Sequence, residues 1–384
     1  MILNPLIFDE YILKSETFKD ILSILERDSK SSSYKFALIR ATIDVIQEQS
    51  PFITLTKSKA HMPLGLIIQK WIFYYYPLFS FNQKIVQTSN KKLAFQDQIL
   101  AVINYYHLKG GLSKCYNDLN GRGIEPTATN IFFDLIRKLK QTIIKQPMRY
   151  IGGSIKNTHY SIYQAEENPK LILGKASINK TFLIQQCGII SIPIDYYNAF
   201  DFIGMFITGT KSITNLWTNY SHQLSDNIEK SIIISQLHQE PVDERETSKS
   251  KNIFKLLEKE ITINCVWTGA KCNEYDLDHL IPFSVWKNNN LWNVLPAKPS
   301  VNNAKKDKIP CKTALLKAKA RILKYWRHIA AVDEERLVNE LFIDLIGPGS
   351  IQKEEYFEFA FSKLVQNCEH LISFRGYEAW SYEK

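Results

Sequence analysis

Residues 275–310 read YDLDHLIPFSVWKNNNLWNVLPAKPSVNNAKKDKIP, and this stretch decides the fold of the C-terminal part of the chain. Residues 275–281 alternate polar and apolar side chains and are rich in strand-forming types, which predicts a half-buried strand. Residues 301–304 open a segment that runs into a basic, helix-favouring stretch beyond Pro310. The segment between them holds three consecutive asparagines together with Pro296 and Pro299, which is typical of a loop. We therefore expect the strand to present its polar residues to a nearby helix.

Four side chains of this stretch fit the hydrolysis of a phosphodiester bond. Asp278 offers a carboxylate and Asn302 an amide carbonyl, and both are hard oxygen ligands of the kind that Mg²⁺ accepts, with Mn²⁺ able to substitute. His279 carries an imidazole, whose ordinary pKa of about 6.5 suits a general base near neutral pH. Asn293 falls in the loop, where its amide can bond the backbone and hold the histidine strand in place. These residues predict a magnesium-dependent site with His279 as the base.

In this order the residues resemble the HNH, or ββα-metal, nuclease motif, and their spacing is similar to that in the HNH domain of RNA-guided CRISPR nucleases. The resemblance implies that Asp278 and Asn302 bind one magnesium ion. It also implies that His279 activates water and that Asn293 shapes the loop. Residues 264–274, NCVWTGAKCNE, fit as well, because the family often opens with a Cys-aromatic-Thr-Gly turn. The resemblance covers less than a fifth of the chain.

Two assignments within the motif stay open. Asn303 could replace Asn302 as the metal ligand, and Asp276 lies on the same face of the predicted strand as Asp278. The ungapped spacing favours Asn302 and Asp278. We expect Asp276 to be structural, or to support the metal ligands rather than bind the ion itself.

The positive charge of the chain is concentrated beside this motif. The formal net charge is +9, and residues 298–328 alone hold ten lysines and arginines against a single acid, a surplus that equals the whole excess. Such a local surplus is expected where a polyanion is bound. The predicted phosphate contacts are Lys298, Lys305, Lys306 and Lys308. The lysines further along alternate with an apolar stripe, so a solvated helix face explains them equally well.

Cysteine usage and hydropathy limit the remaining classes of protein. The six cysteines form no CxxC pair, so the sequence predicts no structural zinc, and Cys265 and Cys272 are expected to be packing thiols. The cysteines are scattered, the first residues do not resemble a signal peptide, and no apolar run is long enough for a membrane span. These features predict a soluble, cytoplasmic protein.

Composition divides the chain into five segments. Residues 1–150 are predicted to be helical, 151–238 mixed α/β, 239–252 a polar linker, 253–330 the nuclease domain and 331–384 a helical cap. Three helices of the first segment follow from apolar side chains at helical spacing. Their stripes are Phe36, Ile39, Ile43 and Ile46; Phe95, Ile99, Val102 and Tyr106; and Phe132, Leu135, Leu139 and Ile143.

The segment after the third helix predicts a hairpin. Residues 149–151 and 159–163 have the pattern of two strands around a Gly-Gly turn, so the helices and this hairpin could form a winged-helix DNA reader. An α+β domain with an incidental hairpin fits the same residues as well. Residues 171–173 and 188–193 are strand-like, and the aromatic-rich residues 196–206 are expected to be buried.

The sequence therefore predicts an α+β protein, largely helical, with an N-terminal α-rich recognition or regulatory region and a C-terminal HNH nuclease domain that cuts DNA. By resemblance, a stand-alone HNH nuclease with a large accessory region is typical of bacterial restriction or anti-phage defence. The expected partners are double-stranded DNA and, besides it, a second copy of the chain or a defence-system protein, with no membrane. Two alternatives stay open: a nuclease that is inactive until a partner releases it, and a nucleic-acid-binding protein whose HNH site is silent.

Overall fold

In the computed structural model the chain divides into two units, Met1–Val242 and Asp243–Lys384. The residues that it describes are 15–121, 123–152, 161–174, 177–205, 207–241, 247–286, 288–349 and 351–382. Both units are mainly helical and carry small sheets, so the protein is of the α+β class, as the sequence predicts.

The N-terminal unit packs helices around a small antiparallel sheet. Its strands are β1 (Thr54–Leu55), β2 (Lys59–Pro63), β3 (Gln164–Glu167) and β4 (Ile189–Pro193), in the order β1-β2-β4-β3. Its helices are α1 (Ser15–Glu26), α2 (Tyr34–Gln47), α3 (Leu64–Ser80), α4 (Gln96–Tyr106), α5 (Gly111–Asn120), α6 (Thr129–Lys145), α7 (Pro147–Tyr150), α8 (Lys180–Gln186), α9 (Ile194–Met205), α10 (Ile207–Leu224) and α11 (Lys230–Leu237), with a 3₁₀ turn at Pro126–Ala128.

The three helices predicted from apolar stripes are confirmed as α2, α4 and α6, and every stripe residue is buried. Helix α3 is apolar nearly all round, with Trp71 and Tyr75 fully buried, and it therefore lies within the core of the unit. Near its start, Gly65 lies so close to Leu183 that a Cβ atom would overlap the carbonyl oxygen of that residue. Only glycine allows α3 and α8 to approach each other this closely.

The predicted hairpin is wrong in its first strand. Pro147 begins the helical turn α7, which includes Arg149 and Tyr150, because proline suits the first position of a helix. Residues 161–163 form no strand, and residues 153–160 of the predicted hairpin lie outside the described part. The strand that follows is β3, which pairs with the distant β4, so the described residues contain no wing here.

The other predictions for this unit have mixed outcomes. Residues 171–173 form no strand, although Leu171 is buried. The strand predicted at residues 188–193 is confirmed as β4, in the middle of the sheet. Tyr196 and Phe200 of α9 are buried, as predicted for the aromatic-rich segment.

The C-terminal unit contains the motif. Its strands are β5 (Asp276–His279), β6 (Val294–Ala297), β7 (Ile309–Pro310) and β8 (Ala379–Trp380). Its helices are α12 (Ser248–Leu257), α13 (Phe283–Trp286), α14 (Pro299–Lys305), α15 (Lys312–Leu341) and α16 (Tyr356–Ser373), with a π-helical turn at Phe342–Ile346 and a 3₁₀ turn at Lys353–Glu355.

Two antiparallel strands and a short helix position the motif residues. In the β5–β6 pair, Asp278 lies opposite Leu295 and His279 opposite Val294. Strand β6 is buried along its whole length, which anchors the pair in the core. Helix α14 follows after one residue and has a proline in its first turn. It ends at Lys305, and the next residue, Lys306, has a φ of 52°, which is rare for a residue with a side chain.

One hydrophobic core joins the predicted nuclease segment to the predicted cap. Buried side chains from α12 to β8 pack together, and α15 runs across position 330, with a local break in its helical backbone at Asp333. Residues 248–252, predicted as part of the linker, belong to α12 because Ile253 and Phe254 give that helix a buried face. Strand β8 pairs in parallel with β7, which fastens Trp380 beside Pro310.

Candidate active site

Asp278 lies at the centre of the site, near the end of β5, and is only 3% exposed. Each carboxylate oxygen has a donor. The indole Nε1 of Trp267 donates to Oδ2 at 2.7 Å, and the ammonium of Lys305 donates to Oδ1 at 3.1 Å. Trp267 comes from the turn between Asn264 and Lys271, which form an antiparallel bridge. The carboxylate is thus held in a fixed orientation by two separate segments.

Lys305 is buried, and the prediction that it contacts phosphate is wrong for this structure. Its side chain is 0% exposed, and Nζ also donates to the backbone oxygen of His279 at 2.6 Å. The ammonium lies 5.7 Å from the ring centroid of Trp267. Asn302 and Lys305 are three residues apart in α14, so their side chains lie on the same face of the helix. This face is directed toward β5, where Asn302 contacts Asp276 and Lys305 contacts Asp278.

His279 follows Asp278 directly and is 2% exposed. Its Nε2 lies 3.0 Å from Oδ1 of Asn289, and its ring lies 5.6 Å from that of Phe283. Since an amide oxygen can only accept, this bond places the imidazole hydrogen on Nε2. Nδ1 is then the nitrogen with the lone pair, as a general base requires.

Asn293 is fully buried, and its three side-chain hydrogen bonds all go to the backbone. Its Oδ1 accepts from Ile281 N at 2.8 Å, while its Nδ2 donates to Ile281 O at 3.0 Å and to Asn288 O at 3.1 Å. The backbone oxygen of Asn293 also accepts from Leu280 N at 2.7 Å. Asn293 therefore ties the loop to the residues just after His279, which is the geometry of a positioning residue.

Asn302 faces β5, whereas Asn303 is exposed. The amide nitrogen of Asn302 donates to Oδ2 of Asp276 at 3.1 Å. Asp276 and Asp278 lie on the same face of β5, since side chains alternate along a strand. The structure thus brings two carboxylates and one amide to the same side of the strand.

This donor set fits a hard divalent cation. Carboxylate and amide oxygens from Asp276, Asp278 and Asn302 are the ligand types that magnesium takes together with retained waters. The ammonium of Lys305 lies 3.1 Å from Oδ1 of Asp278, so this carboxylate already has a positive charge beside it where a metal ion would bind. Across the described ranges no group of three or more His, Cys, Asp or Glu side chains is gathered for a metal.

The basic run beyond the motif is partly neutralised by acids from the tail. The ammonium groups of Lys308 and Lys319 pair with Glu378 and Glu358, at 2.5 and 2.8 Å. Lys312 pairs with a third glutamate, Glu369, at 3.3 Å. Counting charges along residues 298–328 therefore overstates the positive surface. Lys298 is half-buried and Lys306 is exposed, and neither forms an ion pair with another described residue.

Sequence reasoning missed Trp267 and Asn289 as members of the site. Trp267 belongs to the Cys-aromatic-Thr-Gly turn, so the sequence indicated that this turn is part of the motif. Nothing in the sequence indicated that the Trp267 indole would donate to Asp278. Asn289 stands in the run of three asparagines, which indicated only a loop. Cys265 and Cys272 flank the same turn and are buried, and burial together with the neighbouring Cys265 thiol raises the pKa of Cys272.

Two family models match separate parts of the chain. Residues 258–311, which include β5, β6 and α14, match a model described as HNH endonuclease. Residues 14–240 match a model described as a domain of unknown function, DUF8808. Neither the curated proteins nor the solved structures contain a match. No helix in the described residues is long and apolar enough to cross a membrane.

Proposed function

The chain belongs to the family of the DUF8808 domain and carries an HNH endonuclease segment, and on this premise we propose that it is a divalent-metal-dependent endonuclease that hydrolyses DNA. One observation carries the proposal: β5 sets His279 directly after Asp278, while α14 turns Asn302 toward the same strand. The strand-strand-helix order supports the proposal of a ββα-metal site. One hairpin and one helix thus carry the proposed base, the proposed metal ligands and the asparagine that holds the loop.

The roles follow from the contacts. His279 Nδ1 accepts the proton of the attacking water, because Asn289 keeps the hydrogen on Nε2. Asp278 and Asn302 would hold the metal, and Asp276 fixes the amide of Asn302 from the side. Magnesium, when bound, supplies positive charge to the phosphate and leaving oxygens. Manganese has similar ligand preferences and should substitute for it.

Lysines beside the hairpin would grip the DNA backbone. Lys298 precedes α14 and Lys306 follows it, so the two cations flank the helix that carries Asn302. Lys308 lies close by and would exchange Glu378 for a phosphate. Phosphate contacts position a duplex without reading its bases, so the N-terminal unit is our candidate for the reader. Restriction or anti-phage defence is the biological role that we propose for a protein with a reading unit and a cutting unit.

A plasmid cleavage assay tests the function. Wild-type protein should cut DNA with magnesium or manganese and not with EDTA, and methylated and unmethylated plasmids test for restriction. His279→Ala should abolish cleavage, whereas His328→Ala, which changes a histidine of α15, should leave it intact. Equal cutting by the wild type and by His279→Ala would refute the assignment of the base.

A second candidate is a nuclease that stays inactive until a partner opens it. The observation in its favour is the burial of the site: Asp278 and His279 are 3% and 2% exposed, and Lys305 sits against the carboxylate. A duplex cannot reach side chains this closed without local movement. Purified wild-type protein that cuts plasmid without any addition would argue against this candidate. Protein that binds DNA and metal but never cuts would instead indicate a silent site.

A further inference from the structure

The loop between β5 and β6 is held by one buried carboxylate that lies more than fifty residues away in the sequence. Oδ2 of Asp344 accepts hydrogen bonds from Asn288 Nδ2 at 2.7 Å, Asn290 Nδ2 at 2.7 Å and Trp292 Nε1 at 2.9 Å. Three donors on one oxygen satisfy much of the charge of this carboxylate. They also fix every second side chain of the loop from residue 288 to residue 292.

Glu340 adds a second anchor one helical turn earlier. Its Oε2 accepts from the backbone N of Leu291 at 2.6 Å, and Arg336 donates to its Oε1 at 2.7 Å. Glu340 is the last residue but one of α15, and Asp344 lies in the π-helical turn that follows. Such turns are rare and occur frequently at functional sites.

The side chain of Asn289 contacts His279 and not Asp344. Its neighbours Asn288 and Asn290 are bonded to Asp344, while its own Oδ1 lies 3.0 Å from Nε2 of His279. The loop is also closed on itself, since Asn290 N donates to Oδ1 of Asn288 at 2.7 Å. The position of Asn289 is therefore determined from both sides by groups that reach Asp344.

We propose that Asp344 is a positioning residue for His279 and acts through Asn289. The carboxylate holds the loop so that Oδ1 of Asn289 keeps the imidazole hydrogen on Nε2, which leaves Nδ1 as the nitrogen able to accept a proton. The inference rests on the proposed function in assigning that base. Without Asp344, Asn288 and Asn290 lose their common acceptor, Asn289 moves, and both tautomers of the imidazole become populated.

The tautomer can be measured without any cleavage. Selective ¹⁵N labelling of histidine distinguishes Nε2–H from Nδ1–H, and His279→Gln assigns the signal. Wild-type protein at pH 8 should show the Nε2–H form for His279. Asp344→Asn and Asn289→Ala should both show a mixture, whereas Asn289→Asp, which retains the acceptor, should keep the wild-type form. Glu335→Gln, which changes an exposed acid of α15, is the matched control and should change nothing.

Kinetics separate positioning from binding. In Asp344→Asn and Asn289→Ala, kcat for DNA cleavage should fall about 10- to 100-fold with KM unchanged, as when the outer partners of catalytic groups are removed. A wild-type tautomer in Asn289→Ala and in folded Asp344→Asn would overturn the inference. If Asp344→Asn does not fold, Asn289→Ala decides by the same readouts. If the wild type cuts no DNA, the proposed function fails, while the tautomer comparison still tests the link to Asp344.

Discussion

Replacing Lys305 with methionine should destabilise the C-terminal unit strongly, although lysine is usually a surface residue. Methionine matches the length of the side chain but removes the ammonium that contacts Asp278 Oδ1 and the backbone oxygen of His279. Breaking a buried ion pair by removing one partner typically costs about 3–5 kcal/mol, because the other charge stays buried. With a urea slope of about 2 kcal/mol per molar, the unfolding midpoint should fall by about 2 M.

Urea unfolding followed by tryptophan fluorescence is a suitable assay. Five of the seven tryptophans lie in the C-terminal unit, so the signal reports mainly on the fold of the site. Lys306→Met is the matched control, since Lys306 is the adjacent, exposed lysine, and its effect should stay within about 0.5 kcal/mol. The double variant Lys305→Met with Asp278→Leu should recover much of the lost stability, because no charge is then left buried.

Magnesium gives the same prediction a second readout. A cation that binds only the folded protein raises its stability, and it should do so more in Lys305→Met, where no ammonium competes for Asp278. Equal midpoints for Lys305→Met and Lys306→Met would refute the reasoning, since they would mean that the buried pair carries no net stabilisation.

Three other predictions follow from the contacts. Asn302→Ala should reduce cleavage about 10- to 100-fold more than Asn303→Ala, and the reverse order would move the metal ligand to the exposed residue. Burial raises the pKa of Glu340 from its ordinary value of 4.5 to about 7, so between these values the folded protein keeps a proton that the unfolded chain releases. Stability should therefore fall as pH rises through this window, and Glu340→Gln should flatten that fall; parallel pH curves for both proteins would count against it. Alanine at Lys298 and Lys306 should flatten the salt dependence of DNA affinity by about one unit of slope per lost contact, equally for specific and random duplexes, and an unchanged slope would exclude both as phosphate contacts.

The local part of the site could be predicted from the sequence, because its order along the chain follows its order in space. Strand β5, α13, β6 and α14 follow one another along the chain, so alternation and spacing suffice to bring Asn302 near β5. The segment predicted as a loop is only partly one, since it contains α13 and the buried strand β6. The sequence predicts Lys305 at the surface, because unpaired lysines almost always lie there. Lys305 follows Asn302 by three residues, and this spacing puts both side chains on the same face of a helix. The spacing therefore indicates that Lys305 points inward with Asn302, whereas a count of charges along the chain takes no account of it.

The remaining contacts are non-local, and no sequence period encodes them. Glu378 lies 70 residues from the lysine that it neutralises, and Asp344 lies 56 residues from Asn288. The error at the hairpin has a different cause. Residues 149–151 have strand-like side chains, but Pro147 just before them starts a helical turn, and that local preference prevails over the pattern.

The parallel pairing of β8 with β7 has a practical consequence for recombinant protein. Trp380 lies 5.0 Å from Trp267 in an edge-to-face contact, and Trp267 is the residue whose indole donates to Asp278. Strand β8 thus packs Trp380 against the residue that orients the carboxylate of Asp278. A version shortened at residue 378 would expose the indole that orients the carboxylate, and a bulky fusion after β8 would crowd the same contact. An affinity handle for biochemical work therefore belongs at the opposite terminus.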